Sequence, residues 1–242
     1  MVKTAKFRFY EELNDFLPAE SKKRWIKYEF MGKPTVKDSV EAIRVPHTEI
    51  DLILINGRSV SFDEHISDGD KISVYPVFET FDISEVTRLR PKPLREPRFI
   101  VDVQLGRLAR YLRMLGFDTL YRNDLKDIEI INISGAENRT VLTRDISLLK
   151  HNKVSRGYWV RSQIPKDQIA EVVLKFDLSG QFKALSRCMI CNGNIEPVDI
   201  NEVIDNIPPK VKKYCDGFFR CQSCRKIYWK GTHYDRMKQF IE

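Results

Sequence analysis

The stretch IVDVQLGRLARYLRMLGFDTLY, residues 100–121, decides the fold class. Phe99–Val101 is an unbroken apolar run that ends on Asp102, the pattern of a strand buried on both faces. From Val103 to Gly116 the apolar residues Leu105, Leu108, Ala109, Leu112 and Leu115 follow the three-and-four spacing of a helix with one buried side. DTLY (118–121) then reads as a second strand. The alternation continues downstream. LKDIEIINISGAE (125–137) predicts a helix, although its Ile and Asn content weakens it. RTVLTRD (139–145) predicts a third strand and GYWV (157–160) a fourth. PKDQIAEVVLKF (165–176) predicts a helix with Pro165 in its first turn. Strands alternating with helices over residues 98–185 imply a mostly parallel sheet with helices on both faces.

Residues 1–80 follow a different rhythm. AKFRFY alternates Ala5, Phe7 and Phe9 with charged neighbours, and RWIKYEF alternates again, so both read as strands. Thr35 can cap a short helix, VKDSVEAI, with Asp38 completing a capping box. DLILINGRSV places Asn56-Gly57 between apolar flanks, a tight-turn signal, and SDGDKISVYPVF adds a last strand. This order is that of a β-grasp fold, an α+β unit. The segment resembles ubiquitin-like sulfur carriers, notably in LINGRSV (54–60) and DGDKISVYP (68–76). Carrier chemistry needs a free C-terminal Gly-Gly, whereas here the last strand runs on into PVFETFDISEV (76–86). A docking or stabilising module is therefore expected, with room for a protein partner; a sulfur-pathway adaptor is the weaker alternative. FDISEVTRLRPKPLREPR, with three prolines and five basic residues, predicts a semi-rigid linker over residues 81–97.

The chain has 242 residues and a formal charge of +7. Residues 1–80 hold 12 Lys and Arg against 14 Asp and Glu, and residues 81–242 hold 29 against 20. The basic excess lies wholly in the second part, which points to a polyanion partner there. No stretch approaches a membrane span, and the charged N-terminus lacks the apolar core of a signal peptide, so a cytoplasmic protein is expected.

Three constellations carry chemistry. Asp102 and Asp145 each follow a predicted strand, and ligands bind beyond the carboxyl ends of parallel strands. RNDLKDIEI (122–130) adds Asp124, Asp127 and Glu129. Converging carboxylates repel one another unless a divalent cation binds, and an oxygen-only set suits Mg²⁺ or Mn²⁺. Strand-end aspartates also cap helices, and that reading stands beside the first. In the second constellation, RCMICNG (187–193) and FRCQSCRK (219–226) place Cys188, Cys191, Cys221 and Cys224 as two CxxC pairs. Such pairs make a closed tetrahedral thiolate site for structural Zn²⁺. Cys215 is left over, as a bystander or a swapped ligand. In the third, Lys212, Lys213, Arg225, Lys226 and Trp229 belong to a basic and aromatic stretch at 210–230. Its cations can neutralise phosphates and its aromatics can stack on bases or build the local core. Arg107, Arg110 and Arg113 form a stripe beside Asp102 that could hold substrate backbone or simply face solvent. His233 could donate a proton, contact a phosphate, or serve as a packed or surface residue.

IVDVQLGRLARYLRMLGFDTLY, LTRDISLL (142–149), RCMIC (187–191) and YWKGTHYDRM (228–237) resemble the Mut-seven carboxy-terminal ribonuclease domain family, a branch of the PIN-like nucleases with an appended zinc ribbon. Some members carry a ubiquitin-like domain in front. The resemblance implies a PIN-like three-layer α/β/α domain at 98–185, a zinc ribbon and tail at 186–242, and a metal-dependent ribonuclease acting on single-stranded RNA such as tRNA or rRNA. Asp102 and Asp145 match the first and last acidic positions. Asp127 fits the middle position best, with Asp124 and Glu129 as alternates. The thinner middle acidity leaves one or two ions open, and a non-catalytic RNA- or ribosome-binding protein is the alternative. PIN-like domains often pair, but no sequence feature here fixes an interface.

Overall fold

The structure is a computed structural model that describes residues 1–77, 86–89, 97–215 and 217–231. Most of the linker expected at 81–97, together with His233 and the tail, lies outside these residues, as do the side chains of Lys213 and Tyr214.

The first sheet contains β1 (Lys3–Phe9), β2 (Ile26–Phe30), β3 (Ile50–Ile55), β4 (Arg58–Ser59) and β5 (Lys71–Pro76), in the order β2-β1-β5-β3-β4. Ala5, Phe7 and Phe9 point into its core, as the alternation requires. Helix α1 (Val36–Ala42) starts on the expected capping box: the Thr35 hydroxyl accepts from the Asp38 N–H at 3.1 Å, and the Asp38 carboxylate accepts from the Thr35 N–H at 3.2 Å. Asn56 and Gly57 both have positive φ, 50° and 84°, which is how a two-residue hairpin joins β3 to β4. This unit is a ubiquitin-like β-grasp.

The second sheet is fully parallel. β6 (Phe99–Val101), β7 (Thr119–Leu120), β8 (Thr140–Thr143) and β9 (Gly157–Trp159) lie in the order β7-β6-β8-β9. Phe99 and Val101 join one core with α2 (Gly106–Met114) and α5 (Pro165–Lys175). Ile100 joins the opposite core with α3 (Asp127–Glu137) and α4 (Ile146–Leu149). Two helix layers therefore cover a central sheet. The first helix begins later than its apolar pattern suggests, because Val103–Leu105 forms a 3-10 turn before Gly106.

The third sheet is antiparallel, β10 (Ile195–Val198), β11 (Phe218–Cys221) and β12 (Ile227–Trp229), with α6 (Pro209–Tyr214) inserted before β11. It carries the cysteines. Among the described residues no helix is long and apolar enough to cross a membrane.

At both edges of the parallel sheet side chains pair the outward backbone groups, and one at each edge comes from a flanking unit. At β9 the Trp159 N–H donates to Glu49 at 2.5 Å, and the Trp159 carbonyl accepts from Arg161 at 2.9 Å. Glu49 is 1% exposed and pairs with Arg161 at 3.2 Å; Arg161 also reaches Asp15 at 2.8 Å and lies over the rings of Phe16, Tyr158 and Trp159. At β7 the Thr119 N–H donates to the Asn192 side chain at 2.9 Å, and its carbonyl accepts from Arg113 at 2.8 Å. Asn192 also donates to Asp118 at 2.7 Å, and Arg139 donates to the same carboxylate oxygen at 2.7 Å.

Two stability predictions come from these edges. Arg161→Ala leaves the Glu49 carboxylate buried without its cation, and should lower unfolding free energy by about 3 kcal/mol in a urea titration; a midpoint unchanged from wild type would contradict the pairing. Asp118 is held down at about 2: burial opposes ionisation, but the hydrogen bonds from Arg139 and Asn192 outweigh it. Its folded value lies below its unfolded one, so its contribution is full above pH about 4 and disappears as pH falls towards 2. Asp118→Asn should therefore cost about 2 kcal/mol at pH 7 and close to nothing at pH 2. The same comparison of urea midpoints at both pH values checks it, and an equal cost at both would refute the assignment.

Candidate functional site

The end of β6 and the end of β8 meet at one hydroxyl. The Asp102 N–H continues the ladder to the Leu142 carbonyl at 3.0 Å, which seats Asp102 beside Thr143. The Thr143 hydroxyl donates to the Asp102 carboxylate at 2.6 Å and accepts from the Asp145 N–H at 2.9 Å. Asp102 is 4% exposed, and only one of its oxygens is engaged among the described residues. Asp145 caps α4 with one oxygen, which accepts from the Ser147 N–H at 2.7 Å and from the Ser147 hydroxyl at 2.5 Å. The capping role weighed for strand-end aspartates thus holds for half of this carboxylate; its other oxygen has no partner among the described residues.

The middle acids divide. Asp124 is exposed and pairs with Arg122 at 3.2 Å. Glu129 accepts from Arg122 at 2.9 Å and from the Lys126 N–H at 3.0 Å, closing the first turn of α3. Asp127, the first residue of α3, is exposed and has no partner among the described residues. Among the described residues, only the four cysteines form a set of three or more His, Cys, Asp or Glu whose ligand atoms all lie within 4.8 Å of one another. Thr143 links the Asp102 carboxylate to the Asp145 backbone, and Asp127 does not complete a set of three at that spacing among the described residues.

In the cysteine site, Cys188 and Cys224 are 3.5 Å apart, as are Cys191 and Cys221. The edge of a tetrahedron of sulfurs around zinc is about 3.8 Å, so the set is close to ready. Each CxxC is followed by a residue of positive φ, Asn192 at 67° and Arg225 at 63°, which turns the backbone back on itself. Burial opposes ionisation of Cys188, but the Tyr228 hydroxyl at 3.0 Å and nearby N–H groups bring it down to about 6. Burial pushes Cys224 up to about 12. Thiols this close cannot all ionise side by side unless a cation joins them. Four sulfur donors fit a structural metal such as zinc and leave no open position. Cys215 lies apart, packed in a separate small core with Val211 and Trp229.

The basic residues also divide. Arg107 and Arg110 are exposed on α2. Arg113 departs from the expected stripe. It is 4% exposed and donates to the carbonyls of Thr119 and Tyr121, and to Ile190 at 2.8 Å inside the first CxxC. The reason is helical geometry: residues three apart drift by about 60° per step, so the third arginine has turned by about 120° onto the buried side. Arg113 therefore joins the ribbon to the sheet and is not an RNA contact. Lys212, Arg225 and Lys226 are exposed, whereas Trp229 is half-buried against the ribbon's own core.

Sequence reasoning missed Thr143, Asn192, Glu49 and Arg161. Thr143 had one signal, a hydroxyl at the last position of an otherwise apolar strand and two residues before Asp145. Asn192 meets Thr119 across 73 residues and Glu49 meets Arg161 across 112, pairings that leave no local trace.

Comparison with known proteins places the chain. None of the curated proteins searched matches it. Two solved structures align with the front of the chain: small archaeal modifier protein 1 of H. volcanii, at 21% identity over 31% of this chain and 97% of its own, and SAMP1 from Haloferax volcanii, at 18% over 32% and 99%; both have a TM-score of 0.26. The Mut7-C ubiquitin family matches residues 2–82, and the Mut7-C RNAse domain family matches residues 97–241. With more than half of its length matched by the latter, the chain belongs to the Mut7-C RNAse domain family.

Proposed function

We propose that this protein is a cytoplasmic, metal-dependent ribonuclease that hydrolyses phosphodiesters of single-stranded RNA. The observation that carries the reading is the junction of Asp102 and Asp145 through Thr143, at adjacent ends of a parallel sheet in a basic, RNase-family domain. The donor set fits a hard cation: Asp102, Asp145 and Asp127 are all oxygen ligands, and each has a carboxylate oxygen without a partner among the described residues. Asp124 and Glu129 are spent on Arg122 and the α3 cap, so Asp127 is the better third ligand. Bound there, Mg²⁺ or Mn²⁺ would activate a water and offset charge on the phosphate. The chain's own share is positional. Thr143 fixes the Asp102 carboxylate, and Ser147 fixes Asp145. Arg107 and Arg110, on the helix that follows Asp102, supply cations for the RNA backbone. Exposed Arg225, Lys226 and Lys212 extend this basic surface on the ribbon.

Asp102→Asn should reduce manganese-dependent cleavage of a labelled single strand by at least about 10²-fold while RNA binding persists. Cleavage that survives in the highly purified variant overturns the assignment. The open arrangement of the three acids favours a second reading, a non-catalytic RNA binder. Wild-type protein that binds RNA in a salt-dependent way but yields no product with manganese would establish it.

For the ribbon we propose structural Zn²⁺ on Cys188, Cys191, Cys221 and Cys224. Metal analysis should find one zinc per chain, and Cys221→Ser should lose it and expose the ribbon to limited proteolysis. A zinc-free wild-type protein with an equally resistant ribbon would refute this.

A further inference from the structure

A cleft of about 730 Å³ opens at the pole of the parallel sheet opposite Asp102, where Pro97 and Arg98 lead into β6. Arg98 and Asp102 flank the same three-residue strand, so the two poles are roughly 13 Å apart at about 3.3 Å per residue. The cleft lies in the seam between the parallel sheet and the cysteine ribbon, with Arg187 and Asn194 contributed from the ribbon side.

Its charge is one-sided. Arg98, Lys183 and Arg187 line it against a single carboxylate, Asp118. Arg98 and Arg187 both pair with that carboxylate, and Arg98 also reaches Glu137 at 3.7 Å, which leaves Lys183 as the lining's unpaired cation among the described residues. One oxygen is taken by Arg139 and Asn192 from behind the wall, and the other is shared by Arg98 at 3.1 Å and Arg187 at 3.8 Å. Lys183 is exposed and has no side-chain partner among the described residues, yet its backbone is clamped. Its N–H donates to the Leu115 carbonyl at 2.8 Å. Gly116, with φ +99°, admits the Lys183 carbonyl so closely that a Cβ there would be 2.3 Å away. A free cation on a fixed backbone, beside two arginines at the mouth of a cleft, is arranged to meet an anion. The volume falls in the range of about 300–1,000 Å³ that takes nucleotide-sized ligands and exceeds what a lone phosphate needs.

We propose that this cleft is a second phosphate-binding subsite, which anchors the sugar–phosphate backbone of the RNA strand away from the acidic pole. The proposal rests on the ribonuclease reading above. It assigns to the seam between sheet and ribbon a holding role that the exposed arginines of α2 do not fill.

The test is fluorescence anisotropy of labelled single-stranded RNA with the full chain carrying Asp102→Asn, at several salt concentrations. Lys183→Glu should weaken binding about tenfold and lower the salt slope by about one. Lys183→Arg should restore it. Lys22→Glu, the same charge change at an exposed site on the ubiquitin-like unit, should stay within about twofold of the parent, because it lacks a phosphate to lose. If Lys183→Glu lowers the unfolding midpoint, Lys183→Gln replaces it, with a smaller loss expected. Equal affinity of the Lys183 and Lys22 variants, with the parent binding RNA, overturns the subsite and leaves the ribonuclease reading standing. A parent that binds no RNA fails both. Inorganic phosphate that shifts the Gly116 and Lys183 amide signals, while the two variants bind RNA alike, assigns the cleft to a small anion and overturns its RNA role.

Discussion

A parallel sheet of four short strands has two open edges, and backbone groups left unpaired there invite pairing with other chains. This protein closes each edge with an Arg side chain for the carbonyl and an acceptor side chain for the N–H. At β9 these are Arg161 and Glu49, acting on Trp159; at β7 they are Arg113 and Asn192, acting on Thr119. The acceptors come from outside the sheet, Glu49 from the ubiquitin-like unit and Asn192 from the cysteine ribbon. Neither flanking unit is therefore a loose attachment. Each supplies what the central sheet needs to end cleanly.

The same arrangement reaches the acidic pole. Asp145 caps α4, and α4 is held from the ubiquitin-like side: Ile146 packs against that unit's core, and Lys150 donates to the Glu41 carbonyl at 2.9 Å. The Trp159 indole donates to the Arg144 carbonyl at 3.3 Å, just before Asp145. The front unit thus steadies the loop that carries Asp145, while Asp102 is fixed from the centre of the sheet. This gives physical content to a ubiquitin-like fold that lacks a carrier's Gly-Gly. Its buried surface is spent on a neighbour, and Lys175 ties the Val77 carbonyl, just beyond β5, to α5.

Periodicity made most of the fold legible. The buried strand Phe99–Val101, the helix with Leu105, Leu108, Ala109 and Leu112 inside, the Asn56-Gly57 hairpin and the Thr35 capping box all depend on residues within a few positions of one another. So does the double CxxC, whose spacing specifies its turns before the chain folds. The acidic pair was legible for the same reason, because each aspartate directly follows its own strand or trails it by one residue. The third acid was not, since its orientation depends on how α3 meets the sheet, and nothing local encodes that. Arg113 was misread because a three-residue repeat looks like a stripe on paper, while on a helix it winds around the axis.

Charge shows why composition alone places a polyanion-facing surface too broadly. The acidic excess of the front unit and the basic excess of the remainder look like separate properties in the sequence. In the fold, part of each is consumed by the other: Glu12 pairs with Lys175, and Asp15 and Glu49 pair with Arg161. Those cations cannot serve a polyanion. Arg113 and Arg139 are likewise buried in structural contacts. Arg107, Arg110, Lys183, Arg225 and Lys226 stay exposed on the parallel-sheet unit and the ribbon. Within those two units a negatively charged strand would be drawn to these exposed cations, since Lys175 and Arg161 are already neutralised by the front unit's acids.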